Sequence, residues 1–168
     1  MSFSLLPSLM ADSLTDLTPQ LLRERGVKLL MMDFDNTIVP YTTDVPTEKM
    51  KDWISMMQAS DILLCVVSNS KRDRVRQFCR KYDLPCITHA RKPFSTGIRQ
   101  CLEKFGLPAG QCALVGDQIY TDTLGANCAG VRSILIRAIN NHNLLLKARH
   151  WAEMPFILAA GNRKLPSA

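Results

Sequence analysis

Val27-Lys28-Leu29-Leu30-Met31-Met32-Asp33-Phe34-Asp35-Asn36-Thr37 decides the fold, because a nearly continuous apolar run ends abruptly in two carboxylates one residue apart. The run is apolar at odd and even positions alike, so it predicts a strand covered on both faces, as in a parallel sheet flanked by helices. Upstream, Thr18 is placed to cap a helix over 19–25, with Pro19 at its first position and Gly26 to stop it. Downstream, Met50, Trp53, Ile54 and Met57 fall at helical spacing after Pro46, which predicts a helix over 47–59.

The alternation continues along the chain. Residues 62–67 read as a second strand, 72–82 as a helix, 86–89 as a short strand and 95–105 as a helix closed by Gly106. Residues 112–115 follow as a strand, 121–129 as a helix stopped by Gly130, and 133–136 as a last strand. Strands alternating with helices at this spacing predict an α/β fold, a doubly wound parallel sheet with helices on both faces. In such sheets ligands sit beyond the carboxyl ends of the strands, where the strand order reverses. The core is expected over about 19–140 of a single domain, with an N-terminal lead 1–18 and a helical tail 141–168.

The polar residues gather at those strand exits. The first strand ends in Asp33-Phe34-Asp35-Asn36-Thr37 and the second in Ser68-Asn69-Ser70. A later one ends in Gly116-Asp117-Gln118, with Asp122 five residues on, and Arg91-Lys92-Pro93 precedes a helix. Carboxylates placed together repel and tend to hold their protons unless a cation intervenes. Magnesium, which takes oxygen ligands and keeps waters, suits two carboxylates, a backbone carbonyl and a phosphate oxygen. Lys92 would then offset the remaining phosphoryl charge, and Ser68 with the Asn69 amide would donate to its oxygens. Simpler roles stand beside these: Ser68 and Thr37 as turn formers, Asp122 as a helix cap, and Arg91 as the cation in place of Lys92.

These residues resemble the haloacid dehalogenase-like phosphohydrolases, whose motifs run D-x-D-x-T, a Ser or Thr at a strand end, a Lys, and G-D-x-x-x-x-D. They occur in that order at Asp33/Asp35/Thr37, Ser68, Lys92 and Gly116-Asp117/Asp122, over about residues 27–137. More narrowly, Thr18-Pro19, Arg25-Gly26-Val27, Ser68-Asn69-Ser70, Lys92-Pro93 and Thr121-Asp122 are similar to the YqeG-like branch of subfamily IIIA, which includes phosphatidylglycerophosphate phosphatases. The resemblance implies that Asp33 attacks phosphorus and forms an aspartyl phosphate. It implies that Asp35 serves as general acid and then as base, and that Asp33, the Asp35 carbonyl and Asp117 hold Mg²⁺. It further implies that Asp122 orients Lys92 or a metal-bound water, and that Thr37 braces the loop and joins Ser68 and Asn69 in binding the phosphate. A covalent intermediate divides a slow displacement into two steps, and one carboxyl group can carry the proton through both. The gaps between the motifs leave no room for a cap domain, so the site is expected to be open to large or membrane-embedded substrates.

Composition bounds the rest. At 168 residues with 46% hydrophobic content, the chain has the profile of a globular protein with one core. A net charge of +6 favours anionic partners. Six cysteines, spread singly, predict reduced, mostly buried thiols rather than disulfides or structural zinc. No run approaches the roughly 20 apolar residues of a spanning helix and no leader pattern opens the chain, which predicts a cytoplasmic location, at most peripheral to the inner face of a membrane.

Arg72, Arg76 and Arg80, with Lys71 and Arg74 beside them, form a basic helix face that suits either solvent or anionic lipid, while Val75, Phe78 and Cys79 point inward. Apolar residues at 3–10 and 151–160 suit either packing on the sheet or an interface. His89, His142 and His150 match no ligand pattern, and no aromatic-rich basic motif indicates nucleic acid. Two chemical readings remain besides a lipid phosphatase: a phosphatase of a soluble phosphorylated metabolite, and a phosphoacceptor module. In the latter the acceptor sits alone on a middle strand; here D-x-D lies on the first strand read, and its second carboxylate favours hydrolysis. A catalytically idle scaffold is disfavoured by the intact motifs.

Overall fold

The computed structural model describes residues 4–71, 73–139 and 153–165. Its strands are β1 (Leu9–Ala11), β2 (Leu29–Met32), β3 (Leu63–Val67), β4 (Cys86–Ile87), β5 (Cys112–Gly116) and β6 (Arg132–Ile136). All pair in parallel in the order β1-β6-β5-β2-β3-β4. From β2 the chain steps outward to β3 and β4, then returns to the other side of β2 for β5 and β6. The order therefore reverses between β2 and β5, and Asp33 and Asp117 follow these two strands directly.

The helices are α1 (Pro19–Glu24), α2 (Glu48–Gln58), α3 (Asp73–Lys81), α4 (Thr96–Phe105) and α5 (Leu124–Ala129). α1 begins as its sequence predicts: the Thr18 hydroxyl accepts from the Leu21 amide at 3.2 Å, Pro19 occupies the first turn and Gly26 turns left-handed at φ 69°. Thr47 caps α2 in the same way.

Alternate residues of each strand serve opposite faces. Leu30, Met32, Leu64, Val66 and Val115 meet Leu22, Trp53, Ile54 and Phe78 on one side. Leu29, Met31, Cys65, Val67 and Leu114 meet Ile98, Cys101 and Ala126 on the other. Val75, Phe78 and Cys79 are buried as their spacing predicts. All six cysteines are free thiols.

Three features depart from the sequence reading. The apolar lead contributes β1, which pairs with β6 and extends the sheet, because Leu9 and Ala11 add buried side chains to its edge. A helix over 121–129 is replaced by a wider turn at Ile119–Thr123 followed by α5, and that turn aims Asp122 back at β5. Arg74, expected beside a basic face open to solvent or anionic lipid, is folded inward, with its side chain only 14% exposed. Arg72, His142, His150, Trp151 and Phe3 lie outside the described residues. The tail does carry a helix over 153–159, which packs near β1 and β6. Among the described residues no helix is long and apolar enough to cross a membrane.

Candidate active site

At the end of β2 the backbone turns sharply. Asn36 adopts φ 60°, a left-handed conformation that asparagine tolerates better than most residues, and its amide donates to the Val39 carbonyl at 2.7 Å. The Phe34 carbonyl accepts from the Ile38 amide at 3.0 Å. The loop is thus braced by its backbone. Thr37 is buried and its hydroxyl has no hydrogen-bond partner among the described residues, as is also true of the Asn36 side-chain amide. The expected bracing by the Thr37 side chain is not made here.

Lys92 lies at the centre. Its ammonium donates to Asp33 Oδ1 at 2.7 Å and to Asp122 Oδ1 at 2.6 Å, and it is 5% exposed. Burial works against its charge, yet the facing Asp122 and Asp33 carboxylates outweigh that penalty and hold its pKa above the usual lysine value. The neighbouring Arg91 is exposed, so Lys92 is the cation inside the site.

The segment carrying Lys92 is fixed from three sides. Its amide donates to Asn69 Oδ1 at 2.7 Å, while Asn69 Nδ2 donates to its carbonyl at 2.8 Å. The Ala90 amide donates to the Ser68 carbonyl at 3.0 Å, and Gly97 of α4 packs so closely that a Cβ there would lie 2.5 Å from Ala90 Cα. His89 and Arg91 both adopt φ 57°, a conformation that costs non-glycine residues about 1–3 kcal/mol and persists only when the surroundings enforce it. The Asn69 side chain therefore clips Lys92 in place. Ser68 is buried, and its hydroxyl accepts from the Ser70 amide at 3.0 Å.

Asp122 approaches Gly116 so closely that a Cβ at residue 116 would fall 2.3 Å from its carboxyl group. Only glycine leaves that space at the exit of β5. Asp122 Oδ2 accepts from the Gln118 amide at 3.2 Å, four residues back, so the carboxylate does not cap the following helix. Burial, reinforced by Asp33, pushes the Asp122 carboxyl up to about 6 despite the adjacent ammonium. Glu153, which the sequence reading passed over, is buried, and its Oε1 accepts from the Ile119 amide at 3.0 Å, tying the tail to this turn.

Carboxylate oxygens of Asp33, Asp117 and Asp122 come within 4.8 Å of one another, and all three residues are buried. Two of these carboxylates contact the Lys92 ammonium, and the donors are all oxygens, which suits a hard divalent cation. Asp122 directs its two oxygens to Lys92 and the Gln118 amide, so Asp33 and Asp117 are the donors placed for metal. Asp35 stands apart from that cluster: its Oδ1 lies 3.2 Å from Arg74 Nη2.

A doubly wound parallel sheet with no cap among the described residues, and with aspartates at the switch point served by a buried lysine, defines the class of haloacid dehalogenase-like phosphohydrolases. A family model described as HAD-hydrolase-like matches residues 89–152. The probable phosphatase YqeG of Bacillus subtilis (strain 168) is 33% identical over 131 residues, spanning 78% of this chain and 76% of that protein. The chain belongs to the YqeG-like family of these phosphatases, and is a hydrolase of phosphate monoesters. Its fold is shared with the cobalt-bound deoxy-D-mannose-octulosonate 8-phosphate phosphatase of Haemophilus influenzae. That structure matches at TM-score 0.54 with 14% identity, over 82% of this chain and 91% of its own. The 3-deoxy-D-manno-octulosonate 8-phosphate phosphatase of Yersinia pestis matches at TM-score 0.53 with 15% identity, over 83% and 85%.

Proposed function

We propose that this phosphatase works through Asp33 as nucleophile, with magnesium as cofactor, and that its substrate is phosphatidylglycerophosphate in glycerophospholipid synthesis. One observation carries the mechanism: the Asp33 carboxylate is held 2.7 Å from the buried Lys92 ammonium, beside Asp117, at the exits of two adjacent central strands. Asp33 attacks phosphorus through its second oxygen and becomes an aspartyl phosphate as the P–O bond to the alcohol breaks. Asp35 gives the departing alkoxide its proton, then takes one from the water that hydrolyses the acyl phosphate and restores Asp33. Lys92 offsets charge on the phosphoryl oxygens, Ser68 and the Asn69 amide donate to them, and Asp122 keeps Lys92 oriented. A bound Mg²⁺, held by Asp33, Asp117 and the Asp35 carbonyl, would neutralise phosphoryl charge.

The lipid assignment draws on the open site and on a cleft of about 410 Å³ that reaches Asp117 between the sheet edge and the C-terminal helix, where Met10, Leu135, Ile136 and Ile157 lie beside Arg137 and Lys164. The positive net charge suits peripheral contact with an anionic membrane surface on its cytoplasmic side.

The test compares wild type and Asp33→Asn for phosphate release from phosphatidylglycerophosphate, sugar phosphates and nucleotides, with Mg²⁺ and with EDTA. Lipid turnover that requires both Asp33 and Mg²⁺ is expected. Equal release by Asp33→Asn removes the nucleophile assignment. Preference for a soluble monoester removes the lipid one and leaves the chemistry standing.

A further inference from the structure

Arg74 is the second residue of α3, and its direction is unlike that of its basic neighbours. The Arg76 side chain is 50% exposed, whereas that of Arg74 is 14% exposed and turned under the loop that follows the nucleophile strand. Burying a guanidinium is costly unless its donors are met. Here Nη1 donates to the Tyr41 carbonyl at 3.0 Å, and Nη2 donates to the carbonyls of Pro40 at 3.4 Å and Thr43 at 3.5 Å. Nη2 also lies 3.2 Å from Asp35 Oδ1. Asp44 Oδ1 sits 2.8 Å from Nε, an ion-pair contact outside the geometry of an aligned hydrogen bond.

Below the guanidinium lies the Phe34 ring, 5.2 Å from its central carbon. One turn along the same helix, Phe78 packs on Phe34 edge to face with centroids 5.2 Å apart. Residues four apart share a helix face. A single face of α3 therefore grips Phe34, the residue between Asp33 and Asp35, and the same arginine reaches the Asp35 carboxylate.

We propose that Arg74 is a positioning residue for proton transfer: its planar fork fixes the orientation of the Asp35 carboxylate toward the leaving oxygen. The inference rests on the reading in which Asp35 gives and takes the proton. A guanidinium suits this task better than an ammonium, because its donors are locked in one plane: Nη1 is held by the Tyr41 carbonyl, and Nη2, which faces Asp35, is anchored by the carbonyls of Pro40 and Thr43, leaving the pair little freedom to rotate. Among the described residues no cap stands over Asp35 to set the geometry of the acid. That task falls to a neighbouring helix.

The experiment separates orientation from mere support. kcat/KM is measured for wild type, Arg74→Met, Arg74→Lys and Asp35→Asn on glycerol 3-phosphate, whose alkoxide needs a proton to leave, and on p-nitrophenyl phosphate, whose phenolate does not. General acid catalysis contributes about 10²–10⁴-fold, and mispositioning forfeits part of it. Asp35→Asn is therefore expected to lose at least about 100-fold on the alkyl ester, Arg74→Met about 10- to 100-fold and Arg74→Lys less, while the aryl ester changes by under about 3-fold in each. Thermal melts accompany each variant; if Arg74→Met fails to fold, Arg74→Lys carries the test. A parallel fall on both esters, or no fall on the alkyl ester, overturns the inference. If Asp35→Asn itself fails to separate the two esters, the role of Asp35 falls and that of Arg74 with it; if only the Arg74 variants fail to separate them, Arg74 alone is lost.

Discussion

The loop that leaves β2 divides the site into an inner and an outer half, two residues apart in sequence and built on different physics. The inner half is buried and charged: Asp33, Lys92, Asp117 and Asp122 are each under a tenth exposed, and hydrogen bonds and close glycine contacts hold Lys92 and Asp122 in place. The outer half is a rim. Asp35 sits beside Arg74, and residues 40–44 carry a Tyr41 side chain that is open to solvent. Phosphorus must meet the same groups for every substrate, so the inner half gains from rigidity. The leaving alcohol differs from substrate to substrate, and an open rim leaves room for a large one. Consequences of disturbing the two halves should differ accordingly.

The largest loss is expected from Lys92→Met. Asp33 and Asp122 would then face each other in a buried space without their cation, and removing one partner of a buried pair costs roughly 3–5 kcal/mol. Urea melts of the metal-free protein should show that loss, and turnover should fall at least about 100-fold as stabilisation of phosphoryl charge is removed. A Lys92→Met protein as stable as wild type would mean that the inner half is not held by its charges. Gly116→Ala comes next. Its Cβ would enter the carboxyl group of Asp122, and because overpacking typically costs about 1–3 kcal/mol, a stability loss in that range with a drop in activity is expected. An unchanged alanine variant would show that Asp122 can retreat without loss, and so does not position Lys92.

The inner half was legible in the sequence for a physical reason: its residues follow strands whose apolar runs are unmistakable, and the topology of a parallel sheet brings strand exits together. Asp33, Ser68, Asp117 and Asp122 could each be placed at strand exits from local patterns, whereas Lys92 was separated from Arg91 only by the resemblance; in the structure Lys92 is buried and Arg91 exposed. The outer half was not legible. Arg74 lies among Lys71, Arg76 and Arg80, and charge spacing on a helix cannot tell which arginine folds inward, since that depends on where carbonyls 40, 41 and 43 lie. Asn69 was read as a phosphate donor from its position after Ser68; its clip to the Lys92 backbone needs a contact across 23 residues. β1 escaped notice because a three-residue strand shows too few alternations to stand out from an apolar lead. Gly116 entered only as part of the G-D-x-x-x-x-D motif and Gly97 not at all, although each leaves space for an approach that no local pattern encodes.

The smallest change is expected at Asp44, and it probes the comparison most finely. Asp44 contacts Arg74 Nε at 2.8 Å, but its side chain is 52% exposed, and ion pairs of such exposure contribute about 0–1 kcal/mol and weaken with salt. Arg74 would keep its donations to the Tyr41, Pro40 and Thr43 carbonyls and its place over Phe34. Asp44→Asn should therefore lower stability by less than about 1 kcal/mol, an effect that shrinks in high salt, and should leave kcat/KM for glycerol 3-phosphate within about 3-fold of wild type. If this substitution instead lowered alkyl-ester turnover as far as Arg74→Met, the orientation of the guanidinium would depend on its most exposed partner. Solvent and salt would then reach Asp35 through the rim, and the outer half would be a surface charge network rather than a fixed extension of the buried site.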